Sequence, residues 1–156
     1  MIKLTEIYRL DEKLENVSNK RFFWVPKLGG KDFKPGDIVP KFTGIMESFD
    51  VEEVFEEIRE DEFPDRPSRL NNNFVYPTIE GALADFEDRF YEVEATGKVF
   101  YTDLTLWSEG EDIYYGHDEE ATSNVIREYW KGSLHIDKNT EAIIDGVVKI
   151  VKRINR

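Results

Sequence analysis

No cysteine occurs in the 156 residues, so a disulfide framework and a thiolate metal site are both excluded, and packing alone must hold the fold. Only two histidines are present, His117 and His135, and they are not spaced as helical metal ligands; no metal site is expected. No uncharged apolar run approaches the roughly 18 residues that a membrane span needs. The opening MIKLTEIYRLDEKLEN interleaves charge with apolar side chains and holds no leader-type apolar core. A soluble, cytoplasmic chain without membrane contact is therefore expected. Gly29 and Gly30 stand as a bare pair, and neither GxGxxG nor GxxxxGK[ST] occurs, which excludes the Rossmann and P-loop phosphate cradles. Positive charge is also scarce: 21 basic residues against 33 acidic ones leave a formal net charge of -12. Association with a nucleic-acid backbone relies on Lys and Arg displacing counterions, so no direct nucleic-acid binding is expected.

What is present is a globular composition, 40% hydrophobic and 13% aromatic, at a length that suits a single domain over residues 1–156. The acid is clustered. Glu47, Asp50, Glu52, Glu53, Glu56, Glu57, Glu60, Asp61 and Glu62 crowd one segment with only Arg59 among them, and Glu109, Glu111, Asp112, Asp118, Glu119 and Glu120 crowd another. Solvated faces are the plain explanation. The sharper one is an acidic surface aimed at a basic host protein.

Periodicity supplies the elements. Ile2 to Leu10 reads as an opening strand, and Lys13 to Lys41, punctuated by LGG and FKPGDIVP, as loops and short strands. Asp50 with Glu53 forms a capping-box pattern, and Val51, Val54, Phe55 and Ile58 share a face, which predicts a helix over Val51 to Asp61. Asn71 to Tyr76 reads as a loop entering a strand; Thr78 can cap a second helix ending near Arg89. Phe90 to Ala95 and Val99 to Trp107 read as paired strands joined by a turn at Thr96 and Gly97. Asp118 can cap a third helix that Gly132 closes, and Val147 to Ile154 reads as the last strand. Helices scattered between mostly non-crossover strands predict an α+β class, with a sheet or small sandwich whose strands are partly antiparallel.

The densest chemistry lies in RPSRLNNNFVYPT, Arg66 to Thr78. Guanidinium forks that can hold phosphate, hydroxyl and amide groups that can orient it, and aromatic faces that can stack a planar ring are what a nucleotide cofactor requires. Arg66 and Arg69 also lie next to the acidic helix, where ordinary ion pairs are the alternative, and Phe74 and Tyr76 sit in an apparent strand, where core packing is.

Several segments together resemble the small single-domain ADP-ribosyltransferase-like family, which includes rifamycin-modifying enzymes and short phage and bacterial relatives. Tyr8 and Arg9 end the opening strand as that family's first-strand motif does. FKPGDIV is similar to the segment that follows it. RLNNNFVYPTIEGALADFED is similar to the unit that floors the NAD pocket, FYEVEATGKVFYTD to the next strand pair with its trailing aspartate, and TEAIIDGVVKIVKRI to the closing strand pair, with Glu141 where many members place a catalytic glutamate. The resemblance implies a split sheet or small β-sandwich with three helices, NAD as substrate, and possible transfer of ADP-ribose. Breaking the nicotinamide bond builds positive charge on the ribose, so a carboxylate beside the 2′-hydroxyl stabilises the transition state. Glu141 or Asp103 would supply it. Arg9, Arg66 or Arg69, with Ser68, would hold phosphate; Tyr8, Phe74 or Tyr76 would stack the nicotinamide. The reading from a different class is a non-enzymatic acidic inhibitor or adaptor, of the phage accessory type, whose acidic clusters occupy a basic groove on a host protein.

Overall fold

The computed structural model describes residues 14–26, 30–41, 49–86, 88–133 and 135–155. The expected opening strand, with Tyr8 and Arg9, lies outside them. In chain order the elements are β1 (Leu14–Trp24), α1 (Phe49–Glu62), β2 (Asn73–Val75), α2 (Ile79–Asp85), β3 (Arg89–Asp103), α3 (Leu104–Tyr115), α4 (Glu119–Lys131) and β4 (Thr140–Asn155). The class is α+β. The four strands form one antiparallel sheet in the order β1-β3-β4-β2.

That sheet curls until its two edges meet. Phe23 on β1 and Tyr76 just after β2 exchange both backbone hydrogen bonds, at 2.8 and 2.7 Å. Irregular pairing between Val17 and Lys20, where Asn19 takes a positive φ, and between Glu92 and Val93 supplies extra bend. Strand alternation then sorts side chains between two cores. Phe22, Val75, Tyr91, Val93, Ala95, Val99, Tyr101, Ala142, Ile144, Val148 and Ile150 fill the concave interior. Phe100 and Ile143, on the opposite face, pack with Val51, Phe55 and Ile58 of α1 and Ile126, Tyr129 and Trp130 of α4. Thr140 to Ile144 are accordingly buried on both faces, whereas Asp145, Val147 and Lys149 further along β4 reach solvent.

Helices α1 and α4 follow the amphipathic pattern of the sequence, and the Thr78 and Asp118 side chains cap α2 and α4 by accepting from Gly81 and Ala121. Five expectations need correction. Lys13 to Lys41 does not hold only loops and short strands, since Leu14–Trp24 is an 11-residue strand whose partner β3 offsets its weak alternation. Four helices, not three, are present among the described residues, and those strands make one curled sheet rather than a split sheet or sandwich. Finally, there is no turn at Thr96 and Gly97. β3 runs through both, and the segment from Leu104 to Trp107, expected as strand, opens α3 because Asp103 caps it.

Gly97 marks close approach instead of a turn. It is the Cα partner of Gly146 on β4 and takes φ +140°; a Cβ on Gly146 would lie 2.1 Å from the Thr96 carbonyl oxygen, and one on Gly97 2.4 Å from that of Asp145. Both obstacles are backbone, which cannot rotate away. Gly146→Ala is therefore expected to destabilise the fold by about 3 kcal/mol, the upper end of overpacking costs, as read from urea denaturation. A change below roughly 0.5 kcal/mol would show that the strands separate freely there.

Candidate functional site

Four elements converge on one buried polar cluster. The apolar stripe of α1 contains Glu52, three residues before Phe55, and directs this carboxylate inward, where it is 1% exposed. The loop before β2 delivers Arg69, 6% exposed, to the same point. From α4 comes Tyr129, three residues after Ile126. From β4 comes Glu141, two residues before Ile143 and so on the same helix-facing side.

Arg69 organises the set. Its Nε donates to both carboxylate oxygens of Glu52, at 3.2 and 2.9 Å; one Nη donates to Glu141 Oε1 at 2.9 Å and to the Tyr129 hydroxyl through a short bond. The guanidinium also stacks on Phe74, 4.7 Å from its ring centroid, with Trp107, Tyr129 and Phe55 around it. Trp107 Nε1 donates to Glu52 Oε1 at 2.9 Å, which fixes that carboxylate from α3.

One cation thus faces two carboxylates. Burial pushes the Glu141 carboxyl above the ordinary glutamate range; Arg69 opposes the shift, while Glu52 and Asp85 add to it. Burial likewise drives the Tyr129 hydroxyl well up, so it stays a neutral phenol that accepts from Arg69. Glu141 Oε2 is buried and has no hydrogen-bond partner among the described residues. Such an oxygen has a large desolvation cost unless a donor reaches it. The arrangement therefore holds a buried, preoriented acceptor, backed by a guanidinium, with a proton affinity above that of an ordinary glutamate.

The residues singled out from sequence divide as follows. Arg69, Phe74 and Glu141 come together. Tyr76 lies close enough to couple electrostatically to Glu141, and its hydroxyl donates to Asp85 at 2.7 Å; burial and Asp85 raise this phenol too. For Arg69 the ion-pair alternative is the one realised, since Glu52 belongs to the acidic helix, and the guanidinium is buried against Glu52 and Glu141 instead of lining an open cleft. Arg66 is elsewhere: its Nε donates to the Trp130 carbonyl at 3.1 Å and it pairs with Asp65 at 2.8 Å. Ser68 donates to Glu56 at 2.9 Å. Asp103 caps α3, accepting from the Thr105 amide at 2.9 Å and the Thr105 hydroxyl at 2.6 Å. Tyr8 and Arg9 lie outside the described residues.

Glu52, Tyr129 and Trp107 are the members that sequence reading missed. A signal existed for the first: a carboxylate three residues from Phe55 sits on the buried stripe, not on the solvated face where the acidic run had placed it. Among the described residues no group of three or more His, Asp or Glu is arranged to hold a metal ion, and no helix is long and apolar enough to cross a membrane. A family model described as a protein of unknown function, DUF2441, matches residues 37–156. No curated protein matches the chain.

Proposed function

The chain belongs to the DUF2441 family, and from the geometry around Glu141 we propose that it is an NAD-binding, ADP-ribosyltransferase-like protein in which Glu141 serves the ribose. The observation that supports this most directly is the unpartnered, buried Oε2 of Glu141. A ribose 2′-hydroxyl is a donor of the right kind for that oxygen. As the bond to nicotinamide breaks, positive charge spreads over the ribose, and a carboxylate that is ionised at that moment stabilises it. Arg69 then acts as a positioning residue: its bond to Oε1 aims Oε2 and favours the ionised form, while Glu52, Trp107 and Tyr129 hold Arg69. Tyr76, coupled electrostatically to Glu141, and Phe74, beside the Arg69 guanidinium, are the rings assigned to the nicotinamide.

The test uses the full chain with NAD labelled in the adenylate portion. Saturable heat on calorimetric titration and release of nicotinamide or transfer of label are the expected results, with transfer lost and NAD affinity retained in Glu141→Gln. Absence of both heat and turnover would remove the reading.

A second reading has its own support. Glu53, Glu57, Glu60, Asp61 and Glu62 on α1, and Asp118, Glu119 and Glu120 at the start of α4, are exposed. They suit an adaptor that covers a basic protein surface. Binding of that kind weakens steeply between low and physiological salt and survives Glu141→Gln; affinity indifferent to salt would discard it.

A further inference from the structure

We propose that a second site, a concavity of about 360 Å³ between residues 63–72, β3 and β4, binds a phosphate-type dianion. Its lining runs against the character of the chain. Where acids outnumber bases overall, four cations, Lys41, Arg59, Arg66 and Lys98, meet at one depression with only Asp65 and Asp145 among them. Including Glu56 and Glu60, which both pair with Arg59, four cations meet four acids, so the depression is neutral inside a molecule of net charge -12.

The cations are not equivalent. Arg59 and Arg66 are mostly buried and tied to backbone, Arg59 to the Arg66 carbonyl at 3.0 Å and Arg66 to the Trp130 carbonyl at 3.1 Å. They form a preset wall that loses little entropy on binding. Lys98 and Lys41 are the adaptable pair. Lys98 Nζ donates to the Asp65 carbonyl at 3.1 Å and forms no salt bridge among the described residues, though Asp145 faces it across the ladder, so its ammonium is the least committed of the four. Lys41 and Asp145 stand 3.7 Å apart, both half-exposed, a contact that a bound anion can displace at little cost. Asn71 adds an exposed amide, and the buried Asn72 donates its own to the Ser68 carbonyl at 2.8 Å, which fixes the loop beneath. The Arg59 fork is held by Glu56 and the Arg66 guanidinium by Asp65 and the Trp130 carbonyl, so these two contribute fixed positive charge behind the pocket while the lysine ammoniums are the groups free to meet phosphoryl oxygens. The volume suits a phosphorylated small molecule.

This site is separate from the Glu141 cluster. The Lys98–Asp145 pair lies four positions along the β3–β4 ladder from Thr102–Glu141, about 14 Å at a rise of ~3.4 Å per residue. The inference therefore goes beyond the NAD reading and does not depend on it.

Calorimetric titration of the full chain with inorganic pyrophosphate, at constant ionic strength with chloride as control, tests it. Saturable one-to-one binding is expected, weakened about tenfold in Lys98→Ala, less in Lys41→Ala, and unchanged in Lys152→Ala on the far end of β4. Thermal midpoints of the ligand-free variants separate lost binding from lost folding. No saturable heat, or equal affinity in Lys98→Ala and the parent chain, overturns the proposal. Repeating the titration with saturating NAD identifies the source of the phosphoryl group. Competition assigns it to the coenzyme's diphosphate, and independence assigns it to another phosphorylated molecule; both support the pocket. Failure to bind NAD at all, with pyrophosphate still bound, overturns the proposed activity and leaves this site standing.

Discussion

Replacing Arg69 with methionine is expected to cost about 3–5 kcal/mol at pH 7, enough to unfold a large share of a domain of ordinary stability. Methionine has about the right length to occupy the slot against Phe74, so the loss is electrostatic. Glu52 and Glu141 would remain buried with no cation between them, and the Tyr129 hydroxyl would lose its donor. The pH dependence identifies the cause. Glu141 already has its folded-state pKa raised by burial, and without Arg69 to oppose that shift its protonation supports the fold below the unfolded value, about 4.5, with that support lost as pH rises. Urea denaturation at pH 4 and pH 7 should therefore show a much smaller deficit for Arg69→Met at pH 4. Adding Glu52→Gln and Glu141→Gln should recover part of the loss at pH 7, because the cost lies in uncompensated charge, not in missing volume. A deficit that is the same at both pH values and unaffected by the added substitutions would mean that Arg69 acts through its packing on Phe74, Trp107 and Phe55.

Glu141→Gln is expected to separate stability from activity. In the parent chain burial holds the Glu141 carboxyl above its ordinary range against the opposing pull of Arg69. The sign follows directly. A carboxyl with a raised folded-state pKa is most favourable to the fold below the unfolded value and becomes progressively less so as pH climbs through the folded value. Glutamine keeps the shape and the acceptor oxygen facing Arg69 and cannot ionise, so the variant should gain stability relative to the parent chain as pH rises above about 4.5. Over the same interval, NAD turnover should fall by about 10²–10³-fold, the usual effect of removing one group that stabilises transition-state charge. A residue retained at a cost in stability is what a functional carboxylate looks like. If instead the variant loses stability equally at every pH, Glu141 is a strut for Arg69, and the role proposed for it falls.

How much of this could be read in advance depends on the range of the interactions involved. Helices α1 and α4 and the caps Thr78 and Asp118 were legible because they rest on contacts within a turn or two, where periodicity and side-chain-to-backbone bonds act. Arg69 could be named as a candidate from its polar, arginine-rich stretch, and Glu141 from the family resemblance. Their relation to each other could not, since they are 72 positions apart and are joined only by the packing of α1 and α4 on the sheet. Gly97 shows the limit most plainly. A glycine between two aromatic and β-branched runs has the local signature of a hairpin, and only Gly146 across the ladder, with no room for a Cβ on either strand, makes it the middle of a single strand. Asp103 shows a related limit: a helix cap and a catalytic acid use the same side chain, and only the backbone that follows shows it capping α3.

Composition, charge, the absence of cysteine and the amphipathic stripes are properties of the chain alone, and they set its class and bounded its chemistry. Whether an acidic residue meets water or a guanidinium is different. Glu52 and Glu53 are neighbours in one acidic run, yet the first lies buried against Arg69 while the second faces solvent. That choice turns on a rotation of 100° about the helix axis and on what the rest of the molecule places against each side.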